Sequence, residues 1–216
     1  QDDLSNENFK FSTSKNINLN SINVWVQRLS YVGELGYELY IQKENAKEIY
    51  DLIVKTGKDF GLTHCGAHTM DTMRMESGFL HWGHDISPEE NQYQAGLNFA
   101  ISYKKPFDFI GKKKISKIKD QKLERRFVML VLKNNSPGKP LLLHEEPIYL
   151  DDKIIGKTTS GNYSFNYNKN LSFGYINCEL SNEELVDKNL YIEIEKKKYP
   201  AELLLKPLKS HNFKNI

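Results

Sequence analysis

The chain has 216 residues, of which 39% are hydrophobic, 12% aromatic and 27% charged, a composition typical of a soluble globular protein rather than a disordered or membrane-embedded one. Its 30 basic and 28 acidic residues leave a net charge of +2, which is too balanced for a dedicated nucleic-acid-binding protein, and no apolar run is long enough to span a bilayer. Cys65 and Cys178 form no disulfide framework and fit a reducing, cytoplasmic compartment.

The N-terminal region is polar, and its first 20 residues are expected to form a mobile segment. Because the chain opens on Gln1 rather than methionine, we expect it to be part of a longer or processed protein. Strands are predicted at residues 24–32 and 37–42, joined by a tight hairpin at Gly33 and Gly36.

The second of these strands alternates in character, and strand side chains point alternately to opposite faces. The face expected to meet the core carries Tyr37, Leu39 and Ile41, and the opposite face carries Glu38, Tyr40 and Gln42. A carboxylate can accept two hydrogen bonds from a ring with adjacent N–H and NH2 groups, and a phenol ring can stack on it. The pattern suits a heteroaromatic ligand that approaches beside the glycine turn, although a solvent-facing glutamate on an ordinary sheet is the alternative.

Two amphipathic helices are predicted next, at residues 44–56 and 67–76, with Gly78 placed to end the second. The aromatic stretches 79–82 and 99–103 are predicted as strands. Alternating strands and helices of this kind predict an α+β fold, a small antiparallel sheet with helices on one face.

The C-terminal half carries only strand patterns, and several short strands with regular turns predict a barrel or sandwich. The predicted strands are residues 126–132, 147–150, 153–159, 171–178, 190–195 and 199–205. A basic stretch at 112–122 is the expected linker, so that domains would span 21–120 and 121–216. Its lysines, and those at 196–198, are interpreted as solvated turns or edge protection.

Six short blocks in a fixed order carry a family resemblance. They are GELGYELY at 33–40, DTMRMESG at 71–78, WGHD at 82–85, QAGLNFA at 94–100, DFIGK at 108–112 and GKTTSGNYS at 156–164. Together they resemble the folate-binding aminomethyltransferases, the family of the glycine-cleavage T-protein. The residues in these blocks are most similar to those of one branch of the family, the C-terminal regions of dimethylglycine and sarcosine dehydrogenases.

The resemblance implies a fold and a set of ligand contacts. The fold would be the ferredoxin-like part of the folate domain followed by an all-β barrel. The residues that would contact tetrahydrofolate are Tyr31, Glu38, Leu39, Tyr40 and Phe99. Leu39 should face the core and contribute through its backbone. Phe99 stands where the dehydrogenase branch has a tyrosine, so the ring is kept and the hydroxyl is lost.

The resemblance also implies a reaction for the intact protein. An N-methyl amine would be oxidised at an upstream FAD domain to an iminium, and tetrahydrofolate would capture that carbon as 5,10-methylenetetrahydrofolate. The resemblance places the catalytic aspartate of the family in the N-terminal half of the folate domain, upstream of Tyr31, and implies that this chain lacks it, so no catalytic residue is assigned here and the chain alone is expected to be inactive. The expected partners are folate, the methylamine substrate, and the upstream flavin domain or N-terminal folate half, with no nucleic acid or membrane; in a eukaryote the location would be the mitochondrial matrix.

Three alternatives stay open from the sequence: a glycine-cleavage T-protein, a folate-dependent demethylase, and a non-catalytic regulatory module with the folate fold. Met70 replaces an arginine of the T-protein branch, which argues for the dehydrogenase branch. Arg74 and Asp71 share a helix face and are interpreted as a structural ion pair rather than ligand contacts. His68, His81 and His84 match no zinc spacing.

Overall fold

The computed structural model describes residues 2–134 and 136–210. The chain divides into two units. The first comprises the residues up to Ser77 together with Lys209 and Ser210, and the second is Gly78–Leu208. None of the described helices is long and apolar enough to cross a bilayer.

The first unit is built on a three-stranded antiparallel sheet of order β1-β2-β3. Its strands are β1 Ser14–Leu19, β2 Ile22–Gln27 and β3 Glu38–Tyr40, followed by helices α1 Ala46–Gly57 and α2 Ala67–Glu76, with a 3-10 turn Lys58–Phe60 between them. The core of this unit joins the sheet to α1 through the buried side chains of Phe9, Ile17, Val24, Val26 and Ile49. The predicted α+β arrangement and both predicted helices are confirmed.

The predicted tight hairpin is wrong in its form. β2 ends at Gln27 and β3 begins at Glu38, so an irregular loop of residues 28–37 replaces the end of the first predicted strand. The loop is tied down by the side chain of Arg28, which is buried and donates to the Phe9 carbonyl over 2.6 Å. β1 was not predicted, because most of its residues are polar and Ile17 is the one that is buried.

The second unit begins with an irregular segment, residues 78–124. The predicted strands at 79–82 and 99–103 are wrong: Trp82 forms a single bridge to Ile86, and Asn98–Ala100 is a 3-10 turn. Aromatic residues favour strands locally, but this segment hydrogen-bonds mainly within its own turns. The first lysine run opens helix α3, Lys112–Ile118, rather than a turn.

The rest of the second unit is a closed antiparallel barrel of order β4-β7-β6-β5-β8-β9, which confirms a barrel rather than a sandwich. Its strands are β4 Arg125–Leu132, β5 Pro147–Leu150, β6 Lys153–Ser164, β7 Lys169–Asn177, β8 Leu190–Ile194 and β9 Lys197–Leu204. A one-turn helix, α4 Asn182–Leu185, opens with a capping box between Ser181 and Glu184. Closure leaves no unpaired strand edge in the barrel.

Candidate functional site

The outward face of β3 carries two of the predicted site residues. Glu38 and Tyr40 are exposed, whereas Leu39 packs against the core of the first unit. Tyr37 and Ile41 pack on the same inner side as Leu39. The alternation predicted from the sequence is confirmed, and it presents a carboxylate and a phenol side by side to solvent.

These two side chains are joined directly. The Tyr40 hydroxyl donates a hydrogen bond of 2.7 Å to Oε2 of Glu38, and this bond raises the pKa of Tyr40 above its ordinary value. The neutral phenol thus holds the carboxylate in one orientation. Among the residues that the structure describes, none donates a hydrogen bond to the other oxygen, Oε1, which remains an open acceptor.

A third residue, aromatic and not among the predicted ligand contacts, belongs to the same face. Trp25 lies opposite Tyr40 in the β2–β3 register, and the two ring centroids are 4.6 Å apart with the planes tilted by 42°. The sequence does contain a signal for it, since Trp25 stands between the buried Val24 and Val26 and must point outward. The sequence does not reveal the register between β2 and β3, which places Trp25 opposite Tyr40.

The other two predicted residues belong to other elements of the chain. Tyr31 is half-buried in the loop of residues 28–37. Phe99 belongs to the second unit, where its ring is 81% exposed on the 3-10 turn. The structure therefore brings Glu38, Tyr40 and Trp25 together, with Leu39 beneath them.

The two glycines of the loop serve packing within the chain. Gly33 has a φ of 69°, and a Cβ there would overlap the Ser77 hydroxyl. A Cβ on Gly36 would lie 2.6 Å from the Leu29 carbonyl oxygen. The chain itself therefore fills the space that a side chain at either of these two positions would need.

Arg74 occupies a structural position. Its side chain is 1% exposed, and its Nε donates to Oδ1 of Asp71 over 2.8 Å while Nη2 lies 2.7 Å from the same oxygen. The interpretation of this pair as a structural ion pair is supported by its burial. The rings of His81 and His84 contact each other with centroids 4.5 Å apart and planes tilted by 47°, and the described residues include no group of three metal-ligating side chains.

In the second unit, Asp85 connects two of the conspicuous sequence blocks. Its carboxylate is 1% exposed. Oδ1 accepts from the hydroxyls of Thr159 over 2.5 Å and Ser160 over 2.8 Å, while Oδ2 accepts from the His81 amide over 2.9 Å. Asp85 of the WGHD block is thus hydrogen-bonded to Thr159 and Ser160 of the GKTTSGNYS block, and this buried contact attaches the irregular segment to β6.

A second tie of the same segment is the ion pair between Glu90 and Arg125 of β4, at 2.9 Å. Burial alone would raise the pKa of Glu90, but hydrogen bonds from Ser87 and Arg125 outweigh burial and lower it. Both contacts attach residues 81–90 to strands of the barrel.

Comparison with known proteins places these features in a family. Residues 1–105 match the GCVT N-terminal domain model, and residues 125–209 match the glycine cleavage T-protein C-terminal barrel domain model. A crystal structure of the glycine cleavage system aminomethyltransferase T from Bartonella henselae covers 94% of this chain with a TM-score of 0.78 at 19% identity, and this chain covers 54% of it. That likeness shows the fold.

Curated relatives agree with these matches. Human mitochondrial dimethylglycine dehydrogenase is 36% identical over 207 residues, which are 96% of this chain and 23% of that protein. Human mitochondrial sarcosine dehydrogenase is 33% identical over 174 residues, which are 81% of this chain and 18% of that protein. An aminomethyltransferase of Symbiobacterium thermophilum is 32% identical over 167 residues, 77% of this chain and 44% of that protein.

The chain thus spans about a quarter or less of the dehydrogenases and under half of the aminomethyltransferase. The two domain models together cover most of its length in the order in which the folate-fold sheet and the barrel occur. The chain belongs to the glycine cleavage T-protein family.

Proposed function

We propose that the chain is the tetrahydrofolate-binding part of a protein that passes a one-carbon unit from an N-methyl amine to tetrahydrofolate, giving 5,10-methylenetetrahydrofolate. The observation that carries this proposal is the Glu38–Tyr40 pair on the exposed face of β3. The names of the relatives, which are dehydrogenases of N-methylated glycines and aminomethyltransferases, support the proposed substrate class.

The donor and acceptor chemistry of the pair fits a pterin ring. A pterin offers an N–H and an amino group as adjacent donors, and a carboxylate can accept from both. Glu38 keeps one oxygen open, and Tyr40 fixes its orientation before any ligand arrives. The ordering cost of binding is correspondingly lower, because the carboxylate does not have to be immobilised by the ligand.

The role of this chain's residues would be to bind and orient tetrahydrofolate. Tetrahydrofolate, when bound, supplies the N5 and N10 nitrogens that take up the one-carbon unit. Holding a reactant in one orientation next to its partner can account for much of a transfer reaction's acceleration. We assign no residue here to FAD, since the sequence carries no dinucleotide-binding fingerprint, and we propose that FAD is held by an upstream domain.

The test is Glu38→Gln in the complete protein, titrated with tetrahydrofolate. Glutamine keeps the shape, loses the charge and offers one acceptor oxygen. Loss of a hydrogen-bonded charge should weaken binding by about 1.5–3 kcal/mol, roughly ten- to a hundred-fold, while amine oxidation is little changed.

A matched control exists in the barrel, where the Tyr149 hydroxyl donates to Oε2 of Glu193 over 2.7 Å. Glu193→Gln removes a similar tyrosine–glutamate contact on β8 and should leave the affinity unaltered. Equal affinity of the Glu38→Gln and unsubstituted proteins would overturn the assignment.

We also propose that these 216 residues alone bind without turnover, because the resemblance assigns the catalytic aspartate to a position upstream of Tyr31. Transfer of formaldehyde to tetrahydrofolate by the chain alone, above the uncatalysed rate, would contradict this.

A further inference from the structure

The outward face of β2 and β3 carries more apolar surface than an ordinary sheet surface requires. Trp25 remains 41% exposed and Tyr40 46% exposed, although each is among the largest side chains in the first unit. The two valines that flank Trp25 are at most 1% exposed, so the backbone is firmly fixed beneath it. A large indole held in water on a fixed strand is a surface that another flat group can cover.

Other exposed aromatic side chains occur in this chain, so exposure alone does not distinguish Trp25. Its surroundings do. The indole packs against the Tyr40 ring with the ring centroids 4.6 Å apart, and the Tyr40 hydroxyl donates a hydrogen bond to Glu38. Tyr40 is therefore restrained at its ring by Trp25 and at its hydroxyl by Glu38, and all three side chains stand on the same face in adjacent strand positions.

Resting on the proposed function, we propose that Trp25 is a further ligand-binding residue, the aromatic wall against which a flat bicyclic heteroaromatic ring packs while Glu38 holds its hydrogen-bond donors. Aromatic side chains bind planar heterocycles through their faces with little loss of conformational freedom. A wall beside the acceptor limits the ligand to planar rings with a donor edge, which sets the chemical class that the site accepts.

The first test titrates tetrahydrofolate into the complete protein carrying Trp25→Ala or Trp25→Phe. Loss of a stacking face should weaken binding roughly 5- to 100-fold in Trp25→Ala, and less in Trp25→Phe, which keeps a smaller ring. Phe60→Ala is the matched control, because Phe60 is also exposed, at 85%, but belongs to the 3-10 turn Lys58–Phe60 of the first unit and not to β2 or β3. Its substitution should not alter the affinity.

The second test needs no substitution at the site. The chain contains two tryptophans, so Trp82→Phe leaves Trp25 as the single fluorescent indole of the 216-residue chain. Tetrahydrofolate should quench its emission with a saturable curve. The same titration of Trp25→Phe, in which Trp82 alone emits, should show only the linear loss caused by absorption of the ligand.

The outcomes separate the two proposals. If Glu38→Gln weakens binding but Trp25→Ala does not, and Trp25 shows no saturable quenching, the inference about Trp25 is wrong and the folate assignment stands. If neither variant weakens binding, the proposed function itself fails. Should Trp25→Ala not fold, as circular dichroism would reveal, the quenching of Trp25 in the Trp82→Phe chain decides.

Discussion

The hydrogen bond between Tyr40 and Glu38 links the ionisation of one residue to the charge of the other. The bond raises the pKa of Tyr40, so the folded state favours the neutral phenol. The resulting contribution to stability is fully present below the ordinary tyrosine pKa of about 10, and it is lost as the pH rises through the raised pKa of the folded protein.

We therefore expect Glu38→Gln to return the pKa of Tyr40 toward its ordinary value, because the amide cannot hold the phenolic proton as strongly as a carboxylate does. The measurement is a pH titration of 13C-labelled tyrosine, with the Tyr40 signal assigned from Tyr40→Phe. Glu193→Gln should instead lower the raised pKa of Tyr149 and leave Tyr40 alone. A Tyr40 titration curve that is identical with and without the Glu38 charge would contradict the coupling.

The sequence predicted correctly which side chains of β3 point outward. The two-residue period of a strand was enough to place Glu38 and Tyr40 outward and Leu39 inward. The hydrogen bond itself was not predictable, since it depends on side-chain rotamers. Trp25 was missed because its contact with Tyr40 depends on how β2 pairs with β3, and pairing register is a tertiary property.

Among the structural elements, the loop of residues 28–37 depends most on glycine. Gly33→Ala should destabilise the first unit by about 2–4 kcal/mol, because a left-handed backbone disfavours alanine and the new methyl group would overlap Ser77. Gly61→Ala is the control: Gly61 has a φ of 72° with nothing within 4 Å of the added Cβ. It should cost about 1–2 kcal/mol, the conformational part alone.

Chemical denaturation of both variants measures the difference. Equal losses of the free energy of unfolding would mean that the contact with Ser77 contributes nothing beyond the backbone conformation.

The buried carboxylate of Asp85 is the corresponding feature of the second unit. Asp85→Asn keeps the shape but replaces one acceptor oxygen by an amide that donates, so at least one of the groups that donate to the carboxylate loses its partner. We expect a loss of about 1.5–3 kcal/mol in unfolding free energy. Asp152→Asn, which removes an exposed carboxylate 2.9 Å from Lys198, should cost less than about 1 kcal/mol. Thermal unfolding measures both losses of unfolding free energy. Equal losses for Asp85→Asn and Asp152→Asn would contradict this expectation.

Sequence patterns predicted the barrel strands well, because alternation and turn residues are local. They failed at 79–82 and 99–103, where aromatic residues lie in turns: Asp85 accepts from the His81 amide in the first, and the hydroxyl of Tyr103 is hydrogen-bonded to that of Tyr93 in the second. The contact between Asp85 and Thr159 was not predictable, because the two residues lie far apart in the sequence and only the fold brings them together.

For the whole molecule, the two family-matched regions leave residues 106–124 between them. Residues 78–105 match the N-terminal model, yet they group with the barrel in the second unit. We propose that domains nevertheless meet within 112–122, so that trypsin should cut first after the exposed Lys119 or Lys122, which follow α3. Mass spectrometry of the first fragments tests this, and initial cleavage inside β4–β9 would contradict it.

The position of β3 has a consequence for amide hydrogen exchange. Every barrel strand has a neighbour on both sides, whereas β3 is a three-residue strand at the edge of its sheet, bonded only to β2 among the described strands. Its amides should exchange with deuterium early, since edge strands open at low free-energy cost. A ligand bound against Glu38 and Tyr40 would slow the exchange of these amides. Binding at this face could therefore be measured from the exchange rate of the β3 amides, while the exchange rates in the barrel stay the same.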